Sequence, residues 1–156
     1  MTTLMQTHLR IQDRAYPAII GSVLAFDFGE KRIGVAVGES ILKLAHPLVT
    51  IDTEINEARF AQIEALISEW QPALLVVGLP LHENGEPHAM TKLCTRFAQR
   101  LEGRFSLPVA LVDERFSSAE ASQSLKAAGV SGRQQKAMID QVAAQTILQS
   151  YFDQAS

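Results

Sequence analysis

The pattern of apolar and polar positions divides the chain into short buried strands and longer amphipathic helices. Five apolar runs predict strands, and the last two are continuous, which is typical of strands buried on both faces of a sheet: residues 23–28, 33–38, 48–51, 74–78 and 109–112. The polar turn Gly29–Arg32 separates the first two runs and predicts an antiparallel hairpin.

Apolar residues at helical spacing predict two helices, over residues 54–70 and from about residue 90 to 101. Two more helices are predicted from capping boxes, in which a serine is followed three residues later by Glu or Gln: Ser117 with Glu120, and Ser131 with Gln134. The last helix is expected to reach about residue 152 and to turn five residues toward the core: Ile139, Val142, Ala143, Thr146 and Ile147.

The resulting order of elements, β-β-β-α-β-α-β-α-α, predicts an α/β fold. Strands joined by helices after an antiparallel hairpin favour a mixed five-stranded sheet with helices on both faces. Residues 1–20 lack a clear period, so we expect an N-terminal extension that is poorly ordered, followed by one domain over residues 21–153.

Composition narrows the class of protein. No apolar run approaches the roughly 20 residues of a membrane span, and the N-terminus lacks the pattern of a signal peptide, so we expect a cytoplasmic protein without a membrane partner. The single Cys94 excludes an internal disulfide and is most simply a core residue. The net charge is −3, but residues 92–136 hold 8 basic and 4 acidic residues. That segment is compatible with phosphate binding or with an ordinary surface.

Acidic residues follow the predicted strands and interrupt the last helix. Asp27 ends the first strand, Asp113 and Glu114 end the last, and Asp140 lies on the inner side of the last helix. Ligands in such sheets bind outside the carboxyl ends of the strands. Each acid also has an ordinary interpretation: Asp27 as a turn cap, Asp113 or Glu114 as a partner of Arg115, and Asp140 as a solvated helix residue.

Carboxylates that converge from different elements repel one another. Raised pKa values or bound cations relieve that repulsion. Oxygen ligands without His or Cys suit Mg²⁺ or Mn²⁺, and two such ions can support phosphodiester cleavage. The sequence therefore predicts a Mg²⁺ or Mn²⁺ site at this edge of the sheet.

Four phrases in order over residues 22–152 resemble the YqgF (RuvX) family: FDFGEKRIGVAVG, VVGLP with a following NG loop, VDERFSSAEA, and IDQVAAQTILQSYF. The resemblance implies a ribonuclease H-like fold, related to the RuvC Holliday-junction resolvases, and a bacterial cytoplasmic nuclease. It assigns the catalytic, metal-binding acids to Asp27, Glu114 and Asp140. Asp113 is the less certain neighbour of Glu114, because alternation along a strand sends the two to opposite faces.

Candidate nucleic-acid contacts lie in the hairpin turn, after the last strand and at the start of the last helix: Lys31, Arg32, Arg115, Ser117, Ser118, Arg133 and Lys136. A basic stripe along the second helix could follow a phosphate backbone, but a solvated helix face is the commoner role: Lys92, Arg96, Arg100 and Arg104. No aromatic-rich face for stacking single strands is predicted.

The resemblance implies a metal-dependent nuclease acting at the 5′ end of precursor 16S rRNA, and we expect a monomer or weak homodimer. One alternative is a Holliday-junction resolvase acting on branched DNA. Another is a non-catalytic nucleic-acid- or nucleotide-binding module on the same fold. Actin-like and sugar-kinase proteins also open with an Asp-x-Gly hairpin, but they need a second lobe for which 156 residues leave no room.

Overall fold

The computed structural model describes residues 20–80, 89–114 and 132–154, without the side chains of 132–137. Its strands are β1 (Ser22–Phe28), β2 (Ile33–Glu39), β3 (Leu44–Ile51), β4 (Leu74–Leu79) and β5 (Val109–Asp113). Its helices are α1 (Asn56–Trp70), α2 (Ala89–Phe105) and α3 (Gly132–Gln154). The predicted extension over residues 1–20 and the predicted short helix after Ser117 lie outside the described residues, apart from Ile20.

The five strands form one mixed sheet in the order β3-β2-β1-β4-β5. β1 pairs with β2, and β2 with β3, in antiparallel register, whereas β1–β4 and β4–β5 are parallel. The predicted hairpin and mixed sheet are therefore confirmed. Because β1, β4 and β5 run in the same direction, their carboxyl ends lie at one edge of the sheet.

Each face of the sheet carries its own apolar core, because side chains alternate along the strands. Phe26, Leu75 and Val77 point toward α1 and α2, where Phe60 and Phe97 complete the larger cluster. The opposite cluster is covered by α3: Val23, Ala25, Val76, Val112, Ala144, Ile147 and Leu148. Helices on both faces were predicted, and this is confirmed. Among the described helices, none is long and apolar enough to cross a membrane.

The face that α3 turns to the sheet differs from the predicted one. Ala143 and Ile147 are buried as predicted, whereas Ile139, Val142 and Thr146 are only half-buried. The buried side chains lie on a face shifted toward the next positions of the helix: Ala143, Ala144, Ile147, Leu148, Tyr151 and Phe152. Glutamines at helical spacing explain the rotation, since they hydrogen-bond to the edge strand β3. Gln145 donates to the carbonyl of Ala45 at 2.9 Å, and Gln141 to the hydroxyl of Thr50 at 3.1 Å.

Strand β3 begins at Leu44, earlier than the predicted residue 48. His46 and Pro47 are exposed on this edge strand. The first half of β3 therefore has no continuous apolar run from which a strand could be predicted. Proline is tolerated there because an edge strand leaves one row of N–H positions without a ladder partner.

Candidate active site

Asp27 and Glu114 are brought together from β1 and from the residue that follows β5. The two carboxyl groups are joined by a side-chain hydrogen bond. The backbone N–H of Glu114 donates to the carbonyl of Leu79 at 3.2 Å, which fixes the chain as it leaves the sheet. The carboxyl edge of the parallel strands thus holds a close pair of acids, as the strand order predicted.

Burial favours the protonated form of the acid pair. Burial raises the pKa of Asp27 from 3.8 to about 6, with a further increase from the charge of Asp140, while its bond with Glu114 acts in the opposite direction. Burial, and then the charge of Asp27, raise the pKa of Glu114 from 4.5 to about 9. Two neighbouring carboxylates in a site with little water cannot both be ionised unless a cation replaces the shared proton.

Asp140 projects from α3 toward the same edge but is ion-paired with the hairpin turn. The Nε of Arg32 donates a hydrogen bond of 2.8 Å to a carboxylate oxygen of Asp140. This bond raises the pKa of Arg32. The sequence had suggested Arg32 as a phosphate contact, but here it neutralises the third acid.

Two glycines make the close approach of these elements feasible. Gly34 lies opposite Asp27 in the β1–β2 ladder, and a Cβ added there would lie only 1.9 Å from the backbone oxygen of Asp140. A Cβ at Gly78 on β4 would lie 2.8 Å from a carboxylate oxygen of Glu114. Neither spatial role is visible in the sequence, since each glycine packs against a chain segment that is far away in sequence.

A buried arginine that the sequence analysis missed supports the hairpin turn. Arg59 is 3% exposed, and its Nη2 donates hydrogen bonds of 2.8 Å to the carbonyls of Gly29 and Glu30. Its Nε donates to the carbonyl of Thr53 at 2.6 Å. The only sign of this role in the sequence is that Arg59 lies four positions before Ile63, so a basic residue falls on the apolar face of α1.

Several predicted contacts remain predictions. Arg115, Ser117 and Ser118 lie outside the described residues, and Arg133 and Lys136 have no described side chains. Lys31 is exposed beside the half-buried Arg32. Asp113 pairs with Leu79 in the parallel ladder. Since Leu79 belongs to the larger core, alternation points Asp113 away from the face that carries Glu114.

Cys94 is a fully buried core residue, as expected. Burial, followed by the charges of Glu114 and Asp27, raises the pKa of its thiol well above the ordinary value. The thiol therefore stays protonated beneath the acid pair.

The donor set fits a hard divalent cation, with one rearrangement. Among the side chains that the structure describes, no three of His, Cys, Asp or Glu are gathered tightly enough to hold a metal ion. The Asp27–Glu114 pair supplies adjacent carboxylate oxygens that need either a proton or a cation. Asp140 could become the third ligand once it leaves Arg32. Such an all-oxygen set suits Mg²⁺ or Mn²⁺.

Comparisons with known proteins agree with this fold. The chain resembles the yeast mitochondrial Holliday junction resolvase Ydc2 with a TM-score of 0.50 at 10% identity, covering 98% of this chain and 86% of that one. The fold is ribonuclease H-like, as the sequence predicted. A family model described as "RuvX: Holliday junction resolvase" matches residues 21–154. The chain belongs to the RuvX family.

Two bacterial relatives are similar over most of their length. A protein of Methylobacillus flagellatus is 71% identical over 133 residues, covering 85% of this chain and 91% of its own. A protein of Nitrosomonas eutropha is 55% identical over 143 residues, covering 92% and 91%. Both carry the name "Putative pre-16S rRNA nuclease".

Proposed function

We propose that the protein is a metal-dependent nuclease that hydrolyses phosphodiester bonds at the 5′ end of precursor 16S rRNA. The observation that carries this proposal is the half-buried, hydrogen-bonded pair of Asp27 and Glu114, whose raised pKa values mark a site where a bound cation would relieve the repulsion between carboxylates. Perturbed carboxylates at a sheet edge are typical of catalytic sites. We take the substrate from the names of the relatives. Because the substrate would be an rRNA precursor, we infer that the protein acts in the bacterial cytoplasm.

Asp27, Glu114 and Asp140 would hold Mg²⁺ or Mn²⁺. When bound by carboxylates, such ions activate a water and stabilise the leaving oxygen of an in-line displacement. The protein must first lose the proton that Asp27 and Glu114 share, and separate Asp140 from Arg32. These two changes link metal binding to local rearrangement of the hairpin turn and α3.

Arg32 acquires a second role when Asp140 leaves it. Its guanidinium is about one-third exposed, and a free arginine at this position can form paired hydrogen bonds to a phosphate. We infer that Arg32 exchanges the carboxylate for a phosphate of the substrate. The guanidinium of Arg32 would thus move from the carboxylate of Asp140 to the phosphate group that is cleaved.

The direct test is to incubate the purified protein with Mn²⁺ and either a precursor 16S rRNA fragment or a four-way DNA junction. Cleavage of the precursor that is abolished by EDTA and restored by Mn²⁺ would support the proposal. No cleavage of either substrate, with metal binding shown by calorimetry, would contradict it.

Resolution of Holliday junctions is the second candidate function. The description of the matching family model favours it. The acids would carry out the same hydrolysis in both cases, so only the substrate differs. Preferential cleavage of the four-way junction over the precursor fragment in the same assay would establish this second function instead.

A further inference from the structure

We propose that a cleft across the sheet from the acid pair binds an unpaired nucleotide of the strand that is cleaved. The cleft has a volume of about 210 Å³ and lies between the β1–β2 turn, α1 and α2. This inference rests on the proposed nuclease function and narrows its substrate to nucleic acid with a single-stranded segment.

The floor of the cleft is aromatic. Phe28 and Phe97 have ring centroids 4.8 Å apart, and Phe60 lies 6.0 Å from Phe97. Phe60 and Phe97 are buried, so the half-buried ring of Phe28 is the aromatic surface that a base can reach, and the guanidinium of Arg59 lies 5.4 Å from the centroid of that ring. A volume below the roughly 300–1,000 Å³ of drug-sized sites suits one planar ring system. Nucleobases stack on such aromatic surfaces without regard to sequence.

The rim of the cleft supplies charge for the phosphates. Arg96 and Arg100, from the basic stripe on α2, are exposed and line the cleft. Neither has an ion pair with a described carboxylate. On the other rim, Glu54 and Asn56 offer an acceptor and an amide to the edge of a base. With Arg59 and Glu30, the lining holds three arginines against two glutamates, a balance of +1.

The position of the cleft connects it to the acids. Asp27 and Phe28 are consecutive residues of β1, and alternation sends them to opposite faces of the sheet. Asp27 meets Glu114 on one side, and Phe28 meets Phe97 on the other. A strand whose cleaved phosphate lies at Asp27 therefore reaches the cleft by crossing the hairpin turn. Bases held in a duplex cannot make this crossing, because they remain stacked within the helix.

The test is a binding measurement by fluorescence anisotropy in EDTA, where the metal-dependent reaction is silent. The probes are a ten-nucleotide single-stranded RNA, an abasic strand of equal length and charge, and a duplex of the same sequence. The proteins are wild type, Arg96→Ala, and the matched control Lys92→Ala. Lys92 is an exposed residue one helical turn earlier, and it does not line the cleft.

Arg96→Ala should weaken binding of the single-stranded RNA at least about threefold. It should also make the slope of log K against log salt shallower by about 0.7, the value for one lost phosphate contact. Lys92→Ala should change neither quantity. Wild type should bind the RNA at least about fivefold more tightly than the abasic strand, because a stacked base contributes to affinity. Phe28→Leu should reduce that preference.

Equal effects of Arg96→Ala and Lys92→Ala would overturn the proposal, as would equal affinity for the RNA and the abasic strand. A duplex that depends on Arg96 as strongly as the single strand does would also overturn it. The nuclease proposal is judged separately by cleavage with Mn²⁺. If the protein cleaves RNA but shows none of these binding effects, only the proposal about the cleft is refuted. If it shows the binding effects but does not cleave RNA, only the proposed nuclease function is refuted.

Discussion

The side chain of Arg32 holds the carboxylate of Asp140 at 2.8 Å, across 108 positions of sequence. The bond joins the first hairpin turn to α3, so the third acid of the proposed site is neutralised by the protein itself. A cation that recruits Asp140 must compete with this guanidinium. Both side chains are partly exposed to solvent, Arg32 at 32% and Asp140 at 19%, and this limits the strength of the pair to about 1 kcal/mol.

Removal of that competitor should strengthen metal binding. Arg32→Ala should bind Mn²⁺ about three- to fivefold more tightly than wild type, since about 1 kcal/mol corresponds to that factor. Isothermal titration calorimetry without nucleic acid measures it. Lys31→Ala is the matched control, because it removes the same charge from the same turn and Lys31 is exposed. Similar Mn²⁺ affinity for Arg32→Ala and wild type would show that the ion pair does not limit metal binding.

The stability of the metal-free protein should fall as the pH rises from about 5 to 9. The folded-state pKa values of Asp27 and Glu114 are raised to about 6 and about 9, whereas such carboxyls titrate near 4 in an unfolded chain. In this window the folded state holds protons that the unfolded chain has released. The stability they contribute is therefore complete near pH 4 and is lost as the pH passes the folded-state values.

Thermal unfolding in EDTA at a series of pH values measures this dependence. Glu114→Gln should flatten the profile and raise the melting temperature at pH 8, because a neutral amide does not have to take up a proton when the chain folds. Asp113→Asn controls for the loss of a neighbouring acid. A wild-type profile that rises steadily from pH 5 to 9 would show that the pair does not hold its proton.

Gly34→Ala should destabilise the protein and reduce its activity together. The added methyl group would meet the backbone of Asp140 at 1.9 Å, so α3 must shift away from β2. Overpacking of this kind costs about 1–3 kcal/mol, and the shift would displace Asp140 from the other acids. Urea unfolding and a cleavage assay provide the two readings.

Gly103→Ala is the control for that substitution. Its added Cβ would meet nothing within 4 Å, and Gly103 lies within α2. Alanine there should leave activity unchanged and stabilise the helix by about 0.5–1 kcal/mol. If Gly34→Ala were as stable and active as Gly103→Ala, the tight packing of α3 on β2 would have no role in placing Asp140.

The strands and two of the helices could be predicted because their apolar periods are local. The continuous run 74–78 gives β4, and the helical spacing from Met90 to Leu101 gives much of α2. The acids could be placed at one edge because parallel strands end together. These inferences need only sequence spacing and the rule that carboxyl ends of parallel strands align.

Contacts between distant segments could not be predicted in the same way. The ion pair of Arg32 with Asp140 and the position of Gly34 beneath α3 depend on how closely the helix packs on the sheet. Phe28, Phe60 and Phe97 are isolated in the sequence, yet they gather into one aromatic cluster. In α3, glutamines that hydrogen-bond to β3 occupy part of the face that was expected to be apolar, so the buried face differs from the predicted one.

We propose that Asp27, Glu114 and Asp140 form one metal-dependent catalytic site. The most direct measurement is the single-turnover rate of precursor 16S rRNA cleavage in Mn²⁺ for Asp27→Asn, Glu114→Gln and Asp140→Asn, with Asp113→Asn as the control. Each of the three should lower the rate at least about 100-fold, the scale for losing a group that acts in the reaction, while Asp113→Asn stays within a few-fold of wild type. Near-normal cleavage by any of the three, or full wild-type activity in EDTA with metal shown to be absent, would contradict the claim.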